Sequence, residues 1–207
     1  MAATMNAPID ALRKPVLAVV GVLALYFAYR YVLHYYTWSE QSYGYYWVYR
    51  LPLIAHVSGG ALALLVGVYQ LWSGLNAESM SAHPWSGRLY VTGVLVGSLA
   101  ALVLAVSSRL YGFAWAVGLV ALAVSWLSIT GMALLCIRRR DIKAHKQWMI
   151  RSYIVTFAFV LFRFMTDMVP TEAWWGVSTP EMSNAMIWAV WVLPLIGYEL
   201  LLQYRGR

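Results

Sequence analysis

Six stretches of this 207-residue chain are long and apolar enough to cross a bilayer, and nothing else in the sequence constrains the fold as tightly. A spanning helix needs about 20 mostly apolar residues to cross a hydrocarbon layer about 30 Å thick. The runs lie at residues 15–36, 51–75, 88–107, 112–136, 145–168 and 183–203. Hydrophobic residues make up 62% of the chain and charged residues 11%, too few to cover a water-soluble core. The sequence therefore predicts an all-α integral membrane protein, a bundle of six transmembrane helices. Residues 1–14 are read as a short cytoplasmic N-terminal segment and 15–207 as a single six-span domain. No small-residue cleavage site follows the first run, which is read as a retained helix.

Charge orients the bundle. Arg13 and Lys14 precede the first run; Arg138, Arg139, Arg140, Lys143 and Lys146 follow the fourth; Arg205 and Arg207 end the chain. The connection after the fifth run carries Glu172 and Glu181 and no positive residue. Positive residues stay on the cytoplasmic side, so both termini are expected there, as an even number of spans requires. The expected location is a bacterial cytoplasmic (inner) membrane. The net charge of +7 falls at helix ends and is read as this orientation signal, with no nucleic-acid partner implied. Cys136 is the one cysteine, which rules out an intramolecular disulfide and leaves it as a small packed residue.

The opposite side is aromatic. Tyr35, Tyr36, Trp38, Tyr43, Tyr45, Tyr46, Trp47 and Tyr49 crowd one connection, and Trp174 and Trp175 precede the sixth run. Tyr and Trp favour the headgroup layer, so an interfacial belt is expected, with a lid over an outer cavity as the alternative. Pro194, inside the sixth run, is expected to kink it.

Polar residues fall in stripes. On the fifth span Ser152, Thr156, Arg163 and Asp167 follow His145 at offsets of 7, 11, 18 and 22, which a 3.6-residue period places on one face. Charge in mid-membrane costs about 2.5–3.5 kcal/mol on insertion scales, so this face should point inward. Arg163 and Asp167, four residues apart, are expected to be a buried polar pair. The second span carries His56, Gly60, Ala63, Gly67, Gln70 and Gly74 as an expected packing face, and the third carries Gly93 and Gly97. By depth these groups form two layers. Arg30, His34, His56, Arg163 and Asp167 lie toward the outer side, and His83, Arg88, His145, Arg151 and Glu199 toward the inner. Glu199 is the expected counter-ion of Arg88 or Arg151.

Two boxes have a familiar look: His83-Pro84-Trp85-Ser86-Gly87-Arg88-Leu89-Tyr90 and His145-Lys146-Gln147-Trp148-Met149-Ile150-Arg151-Ser152-Tyr153. With His56-Val57-Ser58-Gly59-Gly60, they resemble a bacterial multi-pass membrane family of the domain-of-unknown-function 2306 type, over about residues 50–170. The resemblance implies an architecture and a set of polar positions, and no reaction.

The histidines leave several chemistries open. His83 and His145 could ligate a b-type haem, an arrangement similar to bis-histidine membrane cytochromes of the b561 kind, with Arg88 and Arg151 meeting the propionates. The chain would then be a membrane oxidoreductase or electron carrier with a redox partner. His34 and His56 would be an outer pair by the same logic. A non-haem metal on histidines and a carboxylate is a second reading. A third is a site for a quinone, lipid or anion, or a transporter, with Arg163 in the polar stripe. The fourth is structural: histidines capping helices, and cations touching lipid headgroups. No hydrolase motif is present.

Overall fold

The computed structural model describes residues 2–76, 81–107, 112–168, 176 and 179–206, with side chains from Lys14 to Tyr204 within that set. Glu172, Trp174, Trp175, Pro170 and Arg207, and the side chains of Arg13 and Arg205, lie outside the described residues. The elements are α1 (Ala2–Phe27), α2 (Glu40–Tyr43), α3 (Arg50–Asn76), α4 (His83–Ser107), α5 (Phe113–Arg138), α6 (Ile142–Thr156), α7 (Ala158–Met168) and α8 (Thr179–Gly206). No strand occurs among the described residues.

Among the described residues six helical segments are long and apolar enough to span a membrane: Lys14–Thr37, Glu40–Asn76, His83–Ser107, Phe113–Arg138, Ile142–Met168 and Thr179–Tyr204. The chain is therefore an all-α, multi-pass bundle. Lys14, Arg138, Arg139, Arg140, Lys143 and Lys146 mark its basic end, and the segment 35–50 its aromatic end.

Lipid tails offer helices no hydrophobic reason to associate, so close backbone approach and hydrogen bonds must hold the bundle. The α3–α4 hairpin shows how. A Cβ on Gly59 would stand 2.6 Å from the Gly97 nitrogen and 2.7 Å from the Gly93 oxygen. Only glycine lets these backbones meet. The expected packing stripe on α3 is thus rotated by one residue at this depth: Gly59 makes the contact, while a Cβ on Gly60 would meet nothing within 4 Å. Toward the basic end Gln70 is buried and donates to the His83 carbonyl at 2.9 Å, fastening α3 to the first turn of α4.

Two spans are not simple α-helices. The first widens after Phe27 into a π-helical turn, Ala28–Val32, and then tightens into a 3-10 turn, Leu33–Thr37. The fifth is divided at Phe157 between α6 and α7. There the Thr156 hydroxyl bonds back to the Ser152 carbonyl at 2.9 Å, a local contact that bends helices. α8 continues as one helix through Pro194.

The aromatic segment folds onto itself. Ser39 caps α2 by accepting from the Ser42 amide. Tyr43 is buried, and its ring meets Tyr35, Trp38 and Trp47 edge-on at 5.4, 5.7 and 5.7 Å.

Candidate functional site

Between the spans, in the half of the bundle nearer the aromatic end, lies a cavity of about 490 Å³. That is within the roughly 300–1,000 Å³ of ordinary small-molecule sites. Its walls are mostly apolar rings: Phe27, Tyr31 and Tyr35 from the first span, Trp115 and Trp126 from α5, and Phe159 and Phe162 from α6–α7. Gly60 and Leu64 of α3, Leu104 of α4 and Ser183 of α8 complete the wall. Its polar lining includes His56, Thr156, Arg163, Thr166 and Asp167. The mixture matches what binding sites share, an apolar enclosure with a few placed polar groups.

Each polar group is set by a neighbour. His56 turns Nδ1 toward the Gly97 carbonyl oxygen at 2.9 Å, and its ring meets Phe159 edge-on at 6.2 Å. The Tyr31 hydroxyl donates to Asp167, and the Arg163 guanidinium lies over the Tyr31 ring, 5.5 Å from its centre. This corrects the expected buried pair. Arg163 and Asp167 form no ion pair within 4 Å among the described residues, and both are exposed at the cavity mouth. Tyr31 stands between them, satisfying the carboxylate with its hydroxyl and the cation with its π face.

Below the cavity a buried hydrogen-bond cluster joins three spans. The Tyr90 hydroxyl lies 2.7 Å from Ser152 Oγ and 2.8 Å from Thr156 Oγ1. Trp126 donates Nε1–H to Thr156 at 2.9 Å, and Thr130 lies 2.7 Å from Ser152 Oγ. Thr130 and Thr156 give their own protons to the carbonyls of Trp126 and Ser152. Every member is satisfied, so the cluster fixes α4, α5 and α6 and thereby the floor of the cavity.

The histidines of the basic end are also held. His83, five residues ahead of the apolar run that starts at 88, opens α4 and places Nδ1 2.8 Å from Ser73 Oγ. The Ser73 proton goes to the Tyr69 carbonyl at 2.9 Å, so its oxygen is the acceptor for His83 Nδ1–H. His145 turns Nδ1 to the Ala133 carbonyl at 2.9 Å. Both rings therefore keep Nε2 unprotonated when neutral, the arrangement of metal-ligating imidazoles whose other nitrogen is anchored.

The arginines proposed for haem propionates are otherwise engaged. Arg151 is bonded by Nε and Nη2 to Glu199 at 2.6 and 2.9 Å, and its guanidinium lies 4.7 Å from the Trp148 ring centre. Arg88 lies 4.4 Å over Trp85. As a fit to haem, the donor nitrogens suit axial ligation while Arg151 is already neutralised. The cavity described above is lined by neither His83 nor His145. Of the other outer-layer groups, His34 stacks on Tyr35 at 3.9 Å and Arg30 lies 5.4 Å from the Tyr31 ring centre. Among the described residues no group of three or more His, Cys, Asp or Glu could hold a metal ion.

The family model described as predicted membrane protein (DUF2306) matches residues 53–202. The chain belongs to this family. The match takes in α3 to α8, and so His56, both histidine boxes, and Arg163 and Asp167. Comparison with curated proteins gave no match, and neither did comparison with solved structures.

Sequence reasoning missed Tyr31, Trp115 and Trp126 as lining residues. One signal was available: Phe27, Tyr31 and Tyr35 recur every four residues, an aromatic stripe on one helix face.

Proposed function

We propose that this DUF2306 protein binds a flat amphipathic ring of the quinone type, drawn from the bilayer, in the cavity of its aromatic half. The observation that carries this reading is the cavity itself: about 490 Å³, walled by Tyr31, Trp115, Trp126, Phe159 and Phe162, with His56 and Arg163 in its polar lining. Aromatic walls suit a flat ring by stacking, and the few polar groups would orient its oxygen substituents. The basic end supports a cytoplasmic location for both termini and a bacterial inner membrane as the host. A photoreactive azido-quinone in membrane vesicles tests the reading. Crosslinks are expected on residues of α3, α5 and α7 that line the cavity. Crosslinks confined to the lipid-facing surface would contradict it.

A second reading rests on the basic end, where His83 and His145 each anchor Nδ1 and leave Nε2 free. Those atoms would supply the axial ligands of a haem b. A haem held there would carry single electrons to or from a redox partner.

A further inference from the structure

We infer that the cavity is built for a ring that donates a hydroxyl hydrogen, that is, for the reduced diol form of a quinone-type ligand; this rests on the cavity reading above. A carbonyl oxygen cannot donate. The 2.9 Å contact with Gly97 therefore requires that His56 carry its proton on Nδ1. In a neutral ring Nε2 is then an acceptor, and it bonds to no other protein group among the described residues. With Nδ1 turned to α4, Nε2 is the nitrogen left for the cavity.

Three more of the polar groups narrow the ligand further. Thr156 accepts from Trp126 and gives its own proton to the Ser152 carbonyl, so it has no donor to spare. Asp167 is an acceptor already engaged by Tyr31. Arg163 makes no ion pair within 4 Å among the described residues, and its guanidinium offers donors only. The complement is a ring with an O–H aimed at His56 and an oxygen acceptor aimed at Arg163. A diol has both. A quinone has two acceptors and would leave His56 Nε2 unpaired in an apolar enclosure. A site built to bond a hydroxyl discriminates strongly against analogues that lack it.

The test compares three ligands of one shape on detergent-purified protein under anaerobic conditions: 1,4-dihydroxynaphthalene, 1,4-naphthoquinone and 1,4-dimethoxynaphthalene. The diol is expected to bind about tenfold more tightly than either of the others, the worth of one well-placed hydrogen bond. In His56→Phe and His56→Gln the three affinities are expected to converge. Equal affinities in the wild type would overturn the inference while leaving the cavity reading in place. So would a quinone preference, or a diol preference that survives in either folded variant. Failure of all three to bind would remove the cavity reading and the inference together. The wild-type ranking needs no variant to fold.

Discussion

Arg151 on α6 and Glu199 on α8 form a two-point ion pair, at 2.6 and 2.9 Å, near the basic end of the bundle. The arginine side chain is 14% exposed and the glutamate 45%, so solvent screens only one side of it. The stacked rings of Trp148 and Tyr198 hold the guanidinium in plane. Glu199→Ala leaves a mostly buried cation unpaired, whereas the double change Arg151→Ala/Glu199→Ala removes both charges. We expect the single change to lower stability by about 1–2 kcal/mol, between exposed and buried pairs, and the double to cost less. Thermal unfolding in detergent measures this, with about 2–4 °C per kcal/mol for a chain of this size. A double loss equal to the sum of the Glu199→Ala and Arg151→Ala losses would mean that the two residues act independently.

The Tyr90 cluster predicts a graded response. Tyr90→Phe removes one hydroxyl from Ser152 and Thr156, both of which keep other partners. Its expected cost is about 1 kcal/mol. Tyr90→Ala also empties a fully buried site against Gly67 and should cost about 3–5 kcal/mol. Similar losses in the two variants would show that the hydroxyl, not the ring, carries the contact.

Adjacent glycines on α3 should behave oppositely. Gly59→Ala places a methyl group against the Gly97 and Gly93 backbones at 2.6 and 2.7 Å, where nothing flexible can yield. Overpacking of that kind costs about 1–3 kcal/mol. Gly60→Ala meets nothing within 4 Å and should leave the unfolding midpoint unchanged or slightly raised, since alanine is the better helix former. Equal effects would place the α3–α4 contact elsewhere.

The haem reading makes its own prediction. Protein expressed with ample haem should show a Soret band that His83→Ala and His145→Ala each remove or shift. No band, or an unchanged one in both variants, would contradict ligation by this pair.

Much of this architecture was legible in the sequence because bilayer thickness imposes it. The six runs needed only to be counted, and the inward face of the fifth span follows from the 3.6-residue period that brings Ser152 and Thr156 together. Three things were not legible. Gly59 and Gly60 are neighbours with the same side chain, and only the crossing of α3 and α4 decides which meets the partner backbone. The Tyr31 contact with Asp167 joins residues 136 positions apart, across the first and fifth spans, where spacing carries no information. His83 lies ahead of the apolar run at 88–107, so run length alone did not place it in the helix, and Pro84 follows it. Proline is tolerated in a first helical turn, where its missing N–H has no intrahelical partner, and α4 opens there.

The central claim, a ligand cavity in the aromatic half, is tested most directly by blocking it from a position that tolerates a side chain. Gly60 lines the cavity, and a Cβ there meets nothing within 4 Å. A leucine at Gly60 (Gly60→Leu) should therefore fold normally and fill the space. Titration of wild type and variant with 1,4-dihydroxynaphthalene is expected to show saturable binding by the wild type and at least a tenfold weaker affinity in the variant, about 1.4 kcal/mol. Equal binding by the two folded proteins would contradict the account.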